Sequence, residues 1–312
     1  MSSTAVSRTA TLRGRADAIA DSAGNWIVGA MRIVAGLLWL ANLEWKRPPH
    51  FGKDLGNGLY KYIDSGIKNP VFAPYSWFLE HVVLKQYSLF GWITLFTESA
   101  LAVLLLLGLF TRLASLIAAG MSVSIMLSVL YYPHEWPWSY FLMIAVHLLL
   151  FATNAGQHLG LDGVFRRGRT AIATRNLGIV AVLCGIGGLY VARNGGFADH
   201  HGALLGWARW ELKFVWFNTL GALLTIVLGI VAIASSRMRQ KMLGWVAGAG
   251  FALMALQVVA QWRSEKGATT GGFLGGTGGT FAFWAMLAVG ILVCTARQRE
   301  AGAPAGNRGF GH

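Results

Sequence analysis

Charged side chains are scarce in this sequence. Only 12% of the 312 residues are Asp, Glu, Lys or Arg, whereas about a quarter of the residues of a soluble domain are charged. The apolar share is 55% and the mean hydropathy is +0.52. This composition excludes an ordinary soluble enzyme and predicts a membrane protein that crosses the bilayer several times.

Cysteine is also nearly absent. The two cysteines, Cys184 and Cys294, both fall inside long apolar runs. This excludes a disulfide scaffold, a Cys-x-x-Cys redox pair and an iron–sulfur centre ligated by cysteine. The sequence also shows no set of metal ligands, no haem ligation pair and no flavin motif. We therefore expect no metal, haem or flavin cofactor.

Acidic residues are half as numerous as basic ones, 13 against 26, which gives a net charge of +13. The basic residues are concentrated in short segments between apolar runs. The two clearest clusters are Arg166, Arg167, Arg169 and Arg175, and then Arg237, Arg239 and Lys241. By the positive-inside rule these clusters predict an inner (plasma) membrane protein of bacterial type with both termini in the cytoplasm. They favour membrane lipids, not nucleic acid, as the neighbours of the charge.

Long apolar runs predict the fold class. A helix needs about 20 mostly apolar residues to cross the hydrocarbon core, and eight runs approach this length: 26–43, 89–110, 113–132, 138–155, 177–192, 214–235, 242–261 and 280–296. We therefore predict an all-α, polytopic helical bundle of about eight transmembrane helices. Seven spans remain an alternative if the glycine-rich run 177–192 does not cross.

The runs divide into two four-helix halves. The predicted organisation is an amino-terminal cytoplasmic segment (1–25), a first membrane domain (26–165) with a long external loop (44–88), a basic cytoplasmic linker (166–176), a second membrane domain (177–296) and a cytoplasmic tail (297–312). Aromatic residues and lysines alternate in the loop. It is interpreted either as an aromatic belt at the membrane interface or as a lid over a pocket in the first half.

Ionisable residues inside a bilayer are costly, so those within the spans carry most of the functional information. Only Arg32, Glu98 and His147 fall there. Counted along their helices, Glu98 and His147 lie near one level, and we expect Arg32 to pair with Glu98 beside His147. One interpretation is a charge pair that only fixes the bundle. The other is a quinone or proton site, because a quinone ring needs hydrogen-bond donors and a proton route.

Three motifs in the first half resemble the DoxX/DoxD-like family of four-helix membrane proteins. They are Arg-Ile-Val-Ala-Gly-Leu-Leu-Trp-Leu (32–40) followed by Lys46, Glu98 leading into Leu-Leu-Leu-Leu-Gly-Leu-Phe-Thr-Arg-Leu-Ala (104–114), and Asn-Ala-Gly-Gln-His-Leu-Gly-Leu-Asp (154–162). The long first loop, the turn with Trp136 and Trp138, and the Leu-Asp ending are most similar to the DoxD-type small subunit of thiosulfate:quinone oxidoreductase. The resemblance covers about residues 26–165.

This resemblance implies a membrane component that couples two thiosulfates to tetrathionate and passes the electrons to quinone. It also implies recurrent polar positions at Arg32, Lys46, Glu98, Arg112 and Asp162. The chain departs from the family pattern because it carries a second four-helix half.

The predicted function is a quinone-linked oxidoreductase subunit in sulfur metabolism, working with a second subunit or a soluble redox enzyme. The expected residues are Arg32, Glu98 and His147 for catalysis, Arg32, His147 and Trp39 for quinone, and Lys53, Lys61 and His134 for an anionic substrate such as thiosulfate. One alternative is a non-catalytic membrane anchor or assembly partner of a soluble redox enzyme. Another is a small-solute transporter. The spans of the second half contain no ionisable residue, which counts against this alternative.

Overall fold

The computed structural model describes most of the chain. The described residues are 3–43, 45–56, 58–133, 135–192, 205–207, 210–212, 218–262, 273–274 and 277–298. They form eleven helices: α1 (Ser3–Asn42), α2 (Gly58–Lys68), α3 (Ala73–Phe78), α4 (Tyr87–Leu107), α5 (Thr111–Val129), α6 (Pro137–Ala152), α7 (Leu161–Arg166), α8 (Thr170–Ala192), α9 (Thr219–Met238), α10 (Lys241–Trp262) and α11 (Gly278–Ala296). Two short strands, β1 (Leu205–Trp207) and β2 (Trp210–Leu212), pair antiparallel.

The helices confirm a polytopic membrane bundle. Among the described residues, seven helices are long and apolar enough to cross a membrane, and α6 is a shorter apolar helix. The run 177–192 lies within one of the seven, because α8 provides a candidate span from Thr170 to Tyr190. The helix that falls short is α6, whose 16 residues extend roughly 24 Å at 1.5 Å per residue.

Two boundaries differ from those expected. The helix α1 begins at Ser3 and continues without a break into the first span, so the amino-terminal segment is part of one long helix. The helix α8 begins at Thr170, inside the stretch 166–176 that the sequence predicts as a linker. Arg175 stays exposed on its first turns, where a long side chain can reach the interface from a helix end. An arginine near the end of an apolar run therefore does not mark the helix boundary.

The loop between the first two spans is folded. It contains α2 and α3, and α3 continues directly into one π-type turn, Leu79–Val83. Ser76 donates a hydrogen bond to the carbonyl oxygen of Gly66, and Tyr75 bonds to the backbone of Ser124 on α5. The first bond holds α3 to α2 within the loop, and the second attaches the loop to α5 of the first bundle.

Small residues allow close packing in the second half. The helices α8 and α9 pack along each other, and a Cβ placed on Gly229 would lie only 2.8 Å from the carbonyl oxygen of Gly178. Membrane helices associate through such close backbone contacts because lipid provides no hydrophobic drive between them.

The helix α11 joins the two halves. It packs against α10 and α8 of the second half and against α4 and α1 of the first, and 67% of its span is buried. At the loop end, Trp262 lies between Trp92 of α4 and Phe281 of α11, with ring centroids 6.0 and 5.7 Å away. The second half therefore supports the helix that carries Glu98.

We expect Gly229→Ala to lower the unfolding temperature, because the new methyl group would push α8 away from α9 at a cost of about 1–3 kcal/mol. Unfolding of the solubilised protein can be followed, with Cys184→Ala as the common background because Cys184 is only partly buried, by a thiol-reactive dye that reports exposure of Cys294, which is fully buried. Gly120→Ala is the matched control, since nothing lies within 4 Å of its added Cβ. Equal unfolding temperatures for the two variants would contradict this account of the packing.

Candidate functional site

A large cavity lies within the first half of the chain. Its volume is about 1030 Å³. Its walls come from α1, α4, α5 and α6 and from the folded loop, and most lining residues are apolar. Tyr62 of α2, Tyr75 of α3 and Leu79 of the π-type turn contribute the loop wall. This position fits the interpretation of the loop as a lid.

A buried ion pair lies at the loop end of this cavity. Lys46 pairs with Glu98 of α4, and their side chains are only 1% and 2% exposed. The side-chain amide of Asn42 donates a hydrogen bond to Glu98 Oε2 over 3.2 Å. Lys46 Nζ donates to the carbonyl oxygen of Asn42 over 3.0 Å and lies 4.0 Å from the centre of the Trp45 ring. The result is a neutral cluster with both donors and acceptors beside an apolar space.

The expected pairing of Arg32 with Glu98 is wrong. The helices α1 and α4 are antiparallel neighbours, so Asn42 lies level with Glu98, while Arg32 is ten residues earlier, roughly 15 Å away along α1. Counting residues from the ends of the apolar runs does not show which residues of α1 and α4 lie at the same level.

Arg32 instead binds backbone oxygens at the other end of α4. Its guanidinium donates to the carbonyl oxygens of Leu105 and Leu106, the latter over 3.1 Å, and to that of Leu159 over 2.9 Å. The last carbonyls of a helix have no partner within it, and a cation satisfies them well. Arg32 does not line the cavity, so its expected roles in catalysis and quinone binding stay predictions.

His147 and Trp39 are brought together, and both line the cavity. Trp39 Nε1 donates to His147 Nε2 over 3.0 Å, while His147 Nδ1 lies 2.8 Å from the carbonyl oxygen of Met143. An indole nitrogen can only donate, so Nε2 must accept and Nδ1 carries the proton. His147 is therefore a neutral imidazole with both nitrogens engaged.

Tyrosines surround the loop end of the cavity. Tyr62 stacks edge-on against Trp45 with ring centroids 5.3 Å apart, and Tyr140 donates a hydrogen bond to Glu135. Tyr62, Tyr140 and Glu135 all line the cavity. Together with the ion pair, they make this end much more polar than the remaining walls.

The predicted anion-binding residues lie in different places. Lys61 is exposed next to Tyr62, and its Nζ lies 5.1 Å from the centre of the Tyr132 ring. The hydrogen bond from Lys61 to Tyr132 raises the pKa of the lysine, so it stays charged. Lys53 is exposed over Tyr87, which does not line the cavity. His134 lies outside the described residues.

Two other polar positions of the resemblance organise the end opposite the loop. Asp162 accepts hydrogen bonds from the backbone amides of Phe110 and Thr111 over 3.1 and 3.3 Å, and so caps the start of α5. Arg112 donates to the carbonyl oxygen of Phe151. Of the five positions, only Lys46 and Glu98 line the cavity.

A family model described as "TQO small subunit DoxD" matches residues 27–184, just over half of the chain. The chain belongs to this DoxD family. The resemblance inferred from the motifs is thus confirmed, and the match continues past residue 165 into α8. No curated protein and no solved structure matches the chain. Because the cavity is lined by residues between Ile27 and His147, it lies wholly within the DoxD region.

Lys46 is the residue of the site that the lengths of the apolar runs do not reveal. It lies after the first run, in the stretch predicted as the external loop. In the structure it pairs with Glu98 of α4. Only the family motif pointed to this lysine.

We expect Lys46→Met and Glu98→Met each to destabilise the protein by about 3–5 kcal/mol, because each leaves a buried charge without its partner. The double variant should recover most of this loss. Thermal unfolding of the three proteins measures the effect. Lys68→Met is the control, since this lysine is 70% exposed and its partner Asp64 is 30% exposed, and a pair at the surface is worth about 0–1 kcal/mol. A double variant less stable than either single variant would contradict the pairing.

Proposed function

We propose that this DoxD protein is the membrane subunit of a quinone-linked oxidoreductase that oxidises thiosulfate to tetrathionate. The observation that carries the proposal is the combination, inside the DoxD region, of a spacious apolar cavity with the buried Lys46–Glu98 pair at one end. A quinone would fit both parts, because it has an apolar body and two polar carbonyl oxygens.

The polar end of the cavity suits a quinone ring. Lys46 has three N–H donors, and a bound carbonyl oxygen could take one of them in exchange for part of the contact with Asn42 or Glu98. The quinone would supply the two-electron acceptor of the reaction. Lys46 would bind and protonate a carbonyl oxygen, and Glu98 would hold the ammonium group and pass a proton back to it.

His147 serves best as a positioning residue in this proposal. Its Nε2 accepts the indole proton of Trp39 and its Nδ1 faces the backbone of Met143, so neither nitrogen is directed to a ligand. The pair fixes the Trp39 ring as an apolar wall. Direct protonation of quinone by His147 stays a prediction.

Thiosulfate would approach from the loop face. Lys61 stands beside the cavity-lining Tyr62, which favours it over Lys53 as the group that attracts the anion. We place the loop outside the cell and both termini in the cytoplasm, since the exposed arginines of α7, α8 and α9 gather at the opposite end. The name of the DoxD family describes a small subunit, so we infer a partner subunit or soluble redox enzyme at the membrane.

A second candidate function is that of a non-catalytic anchor for that partner. This candidate is favoured because Lys46 and Glu98 neutralise each other and already have hydrogen-bond partners within the cluster. The two candidates differ in what the purified chain does. A catalytic subunit reduces decylubiquinone with thiosulfate when its co-purifying subunits are present and loses this activity when the cavity is altered. An anchor tolerates the same changes.

We expect Glu98→Gln to lower thiosulfate-dependent reduction of decylubiquinone, per folded molecule, by about 10²-fold, the usual scale for losing a proton-transfer group. The assay uses the purified chain together with any co-purifying subunits. Asp64→Asn is the matched control, a partly exposed carboxylate outside the cavity changed to an amide, and should leave turnover unaltered. Normal turnover in folded Glu98→Gln protein would overturn the catalytic proposal in favour of the anchor.

Lys61→Ala should raise the KM for thiosulfate by about fivefold at low ionic strength, with little effect on kcat, because a nearby cation increases the local concentration of the anion. The difference from the unaltered protein should shrink as salt screens the charge. Lys53→Ala provides the comparison and should leave KM unchanged. If KM rises equally in both variants, or in neither, Lys61 does not attract the thiosulfate.

A further inference from the structure

One face of α1 borders the cavity and is also open to the outside. Ile27, Val34 and Leu38 all line the cavity, yet their side chains are 60%, 54% and 66% exposed. They are seven and four residues apart, so they form one stripe along the helix. Leu142 of α6 lines the same cavity and is 55% exposed. Residues can face both ways only where the cavity opens sideways, so these four residues border a lateral opening.

The lateral opening lies at the depth of the hydrocarbon core. All three α1 residues fall inside the candidate span Ala23–Asn42. Val34 and Leu38 lie between Arg32 and the polar cluster that begins at Asn42, and Ile27 lies on the other side of Arg32. Lipid chains, not water, therefore surround this side of the bundle. An amphiphile that lies with its polar end at Lys46 can extend an apolar chain through the opening.

The size of the cavity agrees with such a ligand. Sites for drug-sized ligands range from about 300 to 1,000 Å³, and the volume here, about 1030 Å³, is at the upper limit. A quinone ring alone would leave most of the apolar wall without a partner. A ring with an attached chain would cover it.

We propose that the lateral opening admits the isoprenoid chain of a membrane quinone, so that the site takes its acceptor from within the bilayer and discriminates against rings that lack a chain. This inference rests on the proposed function, since it presupposes that the polar end binds a quinone ring. It adds the route by which the acceptor arrives and the residues that select it.

Ligand-induced stabilisation of the full chain tests the inference without any need for turnover. Binding to the native state raises the unfolding temperature, and the dye that reports exposure of Cys294 follows it. The two probes are decylubiquinone, which carries a chain, and duroquinone, a fully substituted ring without one. The test variant is Leu38→Trp, and Leu253→Trp is its control because Leu253 of α10 is 68% exposed and lies away from the cavity.

We expect Leu38→Trp to raise the decylubiquinone concentration needed for half of the maximal stabilisation by about tenfold or more, the usual scale for steric exclusion from an apolar pocket. Its response to duroquinone should stay unchanged, and Leu253→Trp should alter neither response. Val34→Trp replaces Leu38→Trp if the latter does not fold, because it lies on the same stripe.

Other outcomes separate the inference from the proposed function. If the unaltered chain is stabilised by both probes and Leu38→Trp affects them equally or not at all, the lateral opening is not the route and only the inference fails. If neither quinone stabilises the unaltered chain, the proposed quinone site fails and the inference fails with it. Stabilisation by a phospholipid, without any response to either quinone, would assign the cavity to a structural lipid and overturn both.

Discussion

Lys46 and Glu98 are both buried, and each stabilises the charge of the other. Much of the first half of the chain holds these two side chains in contact. Neither charge could stay ionised alone in an apolar bundle. Lys46 lines the cavity beyond the end of α1, and Asn42 completes the hydrogen bonding of the carboxylate. The second half contributes at a distance, because α11 holds α4 in the place where Glu98 meets the lysine.

The membrane architecture could be predicted from the sequence because hydrocarbon imposes length and apolarity on each span separately. Because each constraint applies to one helix at a time, the lengths of the apolar runs were enough to locate the eight apolar helices. They set helix boundaries less well, as shown by α8, where Thr170 begins a helix among the basic residues of the expected linker. An arginine can stay on the surface of a helix end, and composition alone does not show where the backbone turns.

The candidate site depended on information that run lengths do not contain. Of Arg32, Glu98 and His147, the ionisable residues of the apolar runs, Glu98 and His147 line the cavity. Their partners depend on the register of α1 against α4 and on where residues 45–56 fold, and the periodicity of apolar residues specifies neither. Lys46 illustrates the limit: it lies just past an apolar run, and only a family motif distinguished it from an ordinary interfacial lysine.

The contacts of Arg32 have a consequence for biogenesis. The carbonyl oxygens that receive its guanidinium belong to residues 73, 74 and 127 positions further along the chain, in α4 and after α6. A first helix that inserts as it is synthesised carries a charge into the bilayer before any of these acceptors exists, and snorkelling toward the surface can relieve that state only in part. The helix α1 is therefore least stable in the membrane just after its synthesis. The hydrogen bonds of Arg32 are complete only when α6, the fourth apolar helix, has been inserted and the segment 153–160 has folded.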